Sequence, residues 1–372
     1  MLPRTVYTFS AGPCVLPLKI MQEMQKNMIT EGKSDLELNP ESRQAKELIT
    51  ENRVLLRKLL NIPDNYEILF MQGGATFQFA SIPINLLKNK EDVGLYLVTG
   101  NWSKKAMGEC KKYGKAVQIN KGLKKGEIFS KLGEVIPSKI DKKARYIYYC
   151  DNETVYGVEY SQPPQLSTDI PLVTDMTSNF LSKPIDVTKY GIIYAGSQKN
   201  YAPAGLCTVI IRKDLIDTNT VEGTPSAFHY RNFVDGSKGY CMPPVFTLKF
   251  MNTYLKWMDS IGGIEEIAKL SEKKSQLIYR AIERSNGFYK STVEKEARSR
   301  MNVPFIINNN DKKLTEQFLK ETTKLGLLQL KGHRSVGGIR ASLYNGMPIE
   351  GVKKLERFMN EFMKRNKNLP NL

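Results

Sequence analysis

IIYAGSQKNYAPAG, residues 192–205, is a short unbroken apolar run that ends in small residues, with Lys199 just past its end. Half-exposed strands alternate apolar and polar residues, whereas strands covered on both faces read as continuous apolar stretches. The same grammar recurs at EILFMQGG (67–74), LYLVTG (95–100), RYIYYC (145–150), PLVTD (171–175) and LCTVIIR (206–212), with helical or loop segments between them. Ahead of the first strand, RQAKELITENRVLLRKLL (43–60) sets Leu48, Ile49, Leu55, Leu56, Leu59 and Leu60 at helical spacing, and IPDNY breaks the pattern. The reading is an α/β fold with a large, mostly parallel sheet and a site at the carboxyl ends of its strands.

After PPVFTL (243–248) the character changes. Long helices over 246–288 are followed by a strand at NVPFII (302–307), a helix over about 314–325, a strand at IRASLY (339–344) and a closing helix. In that last helix Ile349, Val352, Leu355, Phe358, Met359 and Phe362 form one apolar face. We expect a large domain over 15–257 and a smaller α+β domain over 258–372, with residues 1–14 packing against the latter.

The composition narrows the function classes. At 372 residues, 41% hydrophobic and 25% charged, the chain can bury a sizeable core, and no apolar run approaches the ~20 residues of a membrane span. The N-terminus has no secretory signal pattern. Five scattered cysteines, Cys14, Cys110, Cys150, Cys207 and Cys241, form no CxxC pair, and only His229 and His333 are present, so neither a disulfide framework nor a metal site is expected. A reducing compartment, the cytoplasm, fits. The net charge of +17 suits an anionic partner, but no aromatic-studded basic motif accompanies it, so nucleic acid is disfavoured and a phosphorylated small molecule is compatible.

Five pieces stand at strand ends, and each meets one requirement of a phosphorylated, electron-withdrawing cofactor. In MQGGATFQF (71–79) a Gly-Gly turn opens a helix whose first N–H groups can cradle a phosphate, though such turns are also common tight connections. TGNWSKKA (99–106) offers Trp102 as a flat stacking surface. CDNETVYG (150–157) offers Thr154 as a donor to a phenolate, or simply a capped loop. LVTDMTSNF (172–180) ends on Asp175, which can hold a pyridine nitrogen protonated or can cap a helix. Lys199 follows a buried strand and small residues that let a flat ring come close, which suits a Schiff-base nucleophile, although a lone lysine in so basic a chain is otherwise ordinary. Near the end, QLKGHRSVGGIRASLYN (329–345) gathers His333, Arg334 and Arg340 around a Gly-Gly turn, and arginine forks suit carboxylates and phosphates.

These segments, together with FSAGPCVLP, AGSQKN and SRMNVPF, closely resemble the phosphoserine aminotransferases over essentially the whole chain. The resemblance implies the fold-type-I, aspartate aminotransferase-like architecture of pyridoxal 5′-phosphate (PLP) dependent transferases. It also implies a homodimer with interface active sites, and exchange of an amino group between glutamate and 3-phosphohydroxypyruvate in serine biosynthesis. By the same resemblance, Lys199 is the Schiff-base lysine and proton shuttle, Asp175 pairs with the pyridine nitrogen, Trp102 stacks on the ring and Thr154 meets the ring oxygen. Ala75, Thr76 and Gln198 bind the cofactor phosphate, and His333, Arg334 and Arg340 grip the substrate.

Three positions depart from the family pattern. LELNPESR (36–43) carries Pro40 and Glu41 where His-Arg is usual, with Arg43 two residues on as a replacement cation. GYCMPP carries Cys241 and Met242 in place of an Asn-Thr pair that reaches the partner's cofactor phosphate, and Tyr156 stands where a histidine is common. These changes motivate an alternative reading, a PLP-binding homologue with altered or lost substrate chemistry that acts as a binding or structural homodimer.

Overall fold

The computed structural model describes residues 4–30, 33–123, 127–216, 220–234 and 244–367. Seven strands build the central sheet: β1 (Tyr66–Gln72), β2 (Val93–Leu97), β3 (Lys115–Gln118), β4 (Tyr146–Cys150), β5 (Leu172–Asp175), β6 (Ile192–Gly196) and β7 (Leu206–Arg212). Their order across the sheet is β1-β7-β6-β5-β4-β2-β3. All five residues of β4 and of β6 are buried, as the unbroken apolar runs predict. Each buried aliphatic or aromatic side chain contributes roughly 1.5–3 kcal/mol on leaving water.

Strands β2 to β6 pair in parallel, but β7 runs antiparallel to both of its neighbours, β6 and β1. Apolar content specifies burial on two faces and carries no information on direction. The direction of β7 comes instead from the short connection 197–205, too brief for the crossover that a parallel partner needs. Because two reversals cancel, β1 again points the same way as β6, and the ends of β1, β2, β4, β5 and β6 share one edge of the sheet.

The chain order reverses at β2 and β4. From β2 the sheet grows outward to β3, and from β4 it grows the other way to β5 and β6. Such a switch leaves a crevice beyond the strand ends, because the two connections leave in opposite directions.

Helix α1 (Leu18–Asn27), α2 (Arg43–Leu60), α3 (Ala75–Leu86), α4 (Asn101–Cys110) and α5 (Val245–Ser260) pack with this sheet, and two hydrophobic clusters, one on each side, contain its side chains. Ser42 caps α2 by accepting the Ala45 N–H at 3.2 Å, and Asn61 ends it in the left-handed conformation.

A third cluster gathers α6 (Gly263–Glu283), α7 (Lys312–Lys324) and α8 (Ile349–Asn366) with the antiparallel strands β8 (Tyr289–Ser291), β9 (Asn302–Ile307) and β10 (Ile339–Ser342). Val352, Leu355, Phe358, Met359 and Phe362 of the closing helix are all buried in it. Phe9 joins the same cluster, and Tyr7–Thr8 pairs in parallel with Leu327–Leu328. No helix among the described residues is long and apolar enough to cross a membrane.

Candidate active site

The strand ends open into a cavity of about 520 Å³. Ala75, Thr76, Trp102, Thr154, Asp175, Gln198 and Lys199, seven residues singled out from five separate motifs, all line it. His333 and Arg340 line it from the C-terminal part of the chain.

Local structure explains each position. Helix α3 begins at Ala75 behind Gly74, with no side chain capping its first N–H groups, so unpaired donors face the cavity at the positive end of the helix dipole. A Cβ at Gly196 would lie 3.2 Å from the Ala75 nitrogen and 2.9 Å from Gln198 Oε1, which shows how closely the ends of β1 and β6 approach.

Trp102 sits on the first turn of α4. Its backbone N–H donates to Glu153 Oε2 at 3.0 Å, and the neighbouring Ser103 donates to Glu153 Oε1 through its N–H at 2.8 Å and its hydroxyl at 2.7 Å. The helix start is thus pinned to the residue that follows β4, across the switch point. Gly100 is required there, since a Cβ would fall 2.3 Å from Glu153 Cδ. The indole Nε1–H donates to Thr154 Oγ1 at 2.9 Å, which fixes the ring plane and leaves the threonine hydroxyl proton available. Lys105 lies 4.8 Å from the centre of the Trp102 ring and lines the same cavity.

Asp175 is 5% exposed at the end of β5 and accepts the Thr177 N–H at 2.8 Å. Burial pushes its carboxyl up, opposed by the Thr177 and Tyr194 hydrogen bonds and by Lys199. A buried carboxylate in this balance calls for a cationic hydrogen-bond donor in the cavity. Lys199, 9% exposed, lies in the connection between β6 and β7. Its Nζ donates to the Ala11 carbonyl and, at 3.3 Å, to the Tyr344 hydroxyl. Gly12, at φ +148°, allows the N-terminal segment to cross so close, for a Cβ there would be 3.1 Å from Lys199 Cε.

The donor set fits PLP on the structure's own terms. A buried carboxylate suits a pyridine N–H, an uncapped helix start suits a phosphate, a fixed indole suits a flat ring, and the buried Asn152 Oδ1 in the wall has no partner of its own. No group of three or more His, Cys, Asp or Glu with metal-binding geometry occurs among the described residues.

Two of the expected substrate residues lie away from this cavity. Arg43, 90% exposed at its side chain, pairs with Glu47 at 2.7 Å on the solvent face of α2, and neither it nor Glu41 lines the cavity of its own chain. Arg334 is also absent from the cavity wall, because the turn 333–337, closed by the Gly337 N–H on the His333 carbonyl at 2.8 Å, presents His333 and not its neighbour. Arg340 does face the cavity, its Nη1 donating to the Thr154 carbonyl at 3.0 Å. His333 accepts the Ser335 N–H on Nδ1 at 3.2 Å, and burial, with Arg340, Arg334 and Lys105 nearby, lowers its pKa, so it is a neutral donor through Nε2. Tyr156 packs edge-on against Phe129 and is not in the wall. Cys241 and Met242 lie outside the described residues.

Sequence reasoning missed Glu153, Asn302 and Tyr344. Asn152 Nδ2 donates to Ser178 at 2.8 Å and to Asn302 Oδ1 at 2.9 Å, and Asn302 Nδ2 donates to Ser342 Oγ at 3.0 Å and to the Tyr344 hydroxyl at 3.1 Å. The alternation Arg340, Ser342, Tyr344 on one strand face was the available signal.

Residues 6–355 match the aminotransferase class-V family. The phosphoserine aminotransferase of Nitrosomonas europaea is 44% identical over 374 aligned residues, covering 98% of this chain and all of the relative, and that of Drosophila melanogaster is 43% identical with the same coverage. This chain belongs to the phosphoserine aminotransferase family. Among solved structures, the family's PLP-bound member from Trichomonas vaginalis superposes with a TM-score of 0.89 at 37% identity, covering 95% of this chain and 99% of that one. The family supplies the meaning of the cavity: the chain is a PLP-dependent aminotransferase.

Proposed function

We propose that this chain transfers the amino group of glutamate to 3-phosphohydroxypyruvate, or runs the same exchange in reverse, in the cytoplasm and as a homodimer with its active sites at the subunit interface. The observation that carries the reading is the meeting of Lys199, Asp175 and Trp102 in one cavity with Arg340 facing them. Likeness to named phosphoserine aminotransferases over nearly the full length supports it over a homologue with lost chemistry.

When bound, PLP supplies an electron sink that stabilises charge at the substrate's α-carbon and stores the amino group between half-reactions. The residues do the rest. Lys199 anchors the cofactor and carries the proton to and from the α-carbon. Asp175 keeps the pyridine nitrogen protonated, Trp102 holds the ring's face, and Thr154 donates to the ring oxygen. Ala75, Thr76 and Gln198 take the cofactor phosphate. Arg340 grips a substrate anion by a charge-assisted fork, and His333 adds a neutral donor. Arg334 and Arg43 stand outside this cavity and make no substrate contact within it. The large unit spans 15–257 and the small one 258–372.

The test is a spectral titration of PLP-loaded protein. Glutamate should convert the lysine-bound cofactor band to that of the aminated form, phosphohydroxypyruvate should restore it, and Lys199→Ala should show neither change. A band indifferent to both substrates overturns the assignment.

A further inference from the structure

Tyr344 stands just past the end of β10, on the same face as Arg340 and Ser342, and is 2% exposed. A phenolic hydroxyl has one proton and two lone pairs. Here all three are used. The proton goes to the Ala11 carbonyl at 2.7 Å, and the lone pairs accept from Asn302 Nδ2 at 3.1 Å and from Lys199 Nζ at 3.3 Å. Since the proton is committed to Ala11, and Asn302 Nδ2 can only donate, the direction of the Lys199 contact is fixed: the lysine gives and the tyrosine receives.

The backbone of Tyr344 is equally constrained. Its carbonyl accepts from Lys274 Nζ at 2.7 Å, and the next residue, Asn345, ties the segment to the loop of the catalytic lysine by donating its N–H to Asn200 Oδ1 at 3.0 Å. Asn345 Nδ2 also donates to the Leu181 carbonyl at 3.0 Å. The hydroxyl is therefore held from its own main chain, from Asn302 and from Ala11, and is a fixed acceptor rather than a mobile one.

We infer that Tyr344, with the Ala11 carbonyl, is the positioning residue that holds the free amine of Lys199 and its proton, and so links the strand bearing Arg340 to the lysine. The inference deepens the transaminase reading and rests on it only for its consequence in turnover. Two acceptors hold N–H protons on the amine, and an amine so held is fixed in orientation and is kept from turning freely toward an incoming electrophile. The route from substrate grip to lysine is short: Arg340, Ser342 and Tyr344 share one strand face, and Asn302 bridges Ser342 and Tyr344.

The test is competitive labelling of the full chain, prepared free of cofactor, with acetic anhydride, read lysine by lysine by mass spectrometry from pH 6 to 10. In Tyr344→Phe, Lys199 should label at least about threefold faster, because one of the two contacts that fix the orientation of its amine is gone. Surface lysines serve as the internal reference. Tyr279→Phe, which removes the hydroxyl donating to the Ser299 carbonyl at 2.9 Å in the same part of the fold, should leave the Lys199 rate unchanged. Asn302→Ala keeps the Tyr344 hydroxyl but loosens it, and should raise the rate by a smaller factor. It is the arm to read if Tyr344→Phe does not fold. In the loaded enzyme, Tyr344→Phe should lower kcat about tenfold with KM within about twofold, and alter the pH profile of kcat. A Lys199 labelling rate equal to wild type in both variants overturns the inference. Labelling needs neither cofactor nor substrate, so failure of wild-type transamination would count against the proposed function alone.

Discussion

The carboxylate of Glu153 accepts the backbone N–H of Trp102 at 3.0 Å, so this indole of the cavity wall is anchored by a residue on the far side of the sheet's switch point. The two motifs that meet there, after β2 and after β4, are about 50 residues apart in sequence, as the Ser103–Glu153 separation of 50 shows. Replacing Glu153 with Ala strands two N–H groups and a hydroxyl in a buried place. We expect a loss of about 2–4 kcal/mol in urea unfolding and at least about tenfold weaker PLP binding. Stability unchanged to within 0.5 kcal/mol, as is usual for surface changes, would refute the role.

Asp175→Asn keeps the shape of the side chain and removes the charge that holds a pyridine nitrogen protonated. Single-turnover rates with glutamate should fall by roughly 10²–10³, the scale of losing one preorganised electrostatic contact. Folding should survive, because burial already pushes the carboxyl toward its neutral form. Near-normal turnover in this variant would remove Asp175 from the mechanism.

The two C-terminal arginines should separate cleanly. Arg340→Ala should raise KM for the phosphorylated substrate about 10–100-fold, from loss of a charge-assisted contact. Arg334→Ala should change it by less than about threefold, because Arg334 is not in the cavity wall. Steady-state kinetics with phosphohydroxypyruvate decides, and equal effects would contradict the observed geometry.

Lys274 is 2% exposed, and burial pushes its pKa down from 10.5 to about 7, with Cys14 opposing. Between those values the unfolded chain holds a proton that the folded chain has released, so this group's contribution to stability improves as pH rises across that window. Below pH 7 both states carry the charge, and the folded one bears a buried ammonium served by the Tyr344 and Met347 carbonyls. The difference in unfolding free energy between wild type and Lys274→Met should therefore shift in favour of wild type by a few kcal/mol, on the order of 1.4 kcal/mol per pH unit, from pH 6 to pH 9.5. A difference independent of pH would show that the lysine remains charged throughout.

The strands and the cofactor wall were legible because each lay in a local pattern. Apolar runs identified β4, β5 and β6, and polar residues at the strand end or within four positions beyond it drew attention to Thr154, Asp175 and Lys199, which the structure brings into one cavity. Spacing in sequence could not reveal Glu153 or Asn302, since each is one polar residue whose partners lie 40 to 150 positions away. Arg334 and Arg340 read alike as arginines beside glycines. What distinguishes them is placement: Arg340 lies on β10 with its Nη1 on the Thr154 carbonyl in the cavity, whereas Arg334 lies in the turn 333–337 outside the cavity wall. Arg43 was reasoned from charge, and charge alone does not say which chain's cavity a side chain on α2 serves.

Ala11 and Tyr344 touch one amine from almost opposite ends of the polypeptide, 333 positions apart. During synthesis the ribosome delivers Ala11 before Lys199 and Lys199 before Tyr344. The strands of the seven-stranded sheet and Lys199 thus precede the Tyr344 hydroxyl and Arg340 along the chain. The lysine acquires its Tyr344 neighbour only after β10 has been delivered, so its set of contacts is completed later than the larger sheet on which it sits.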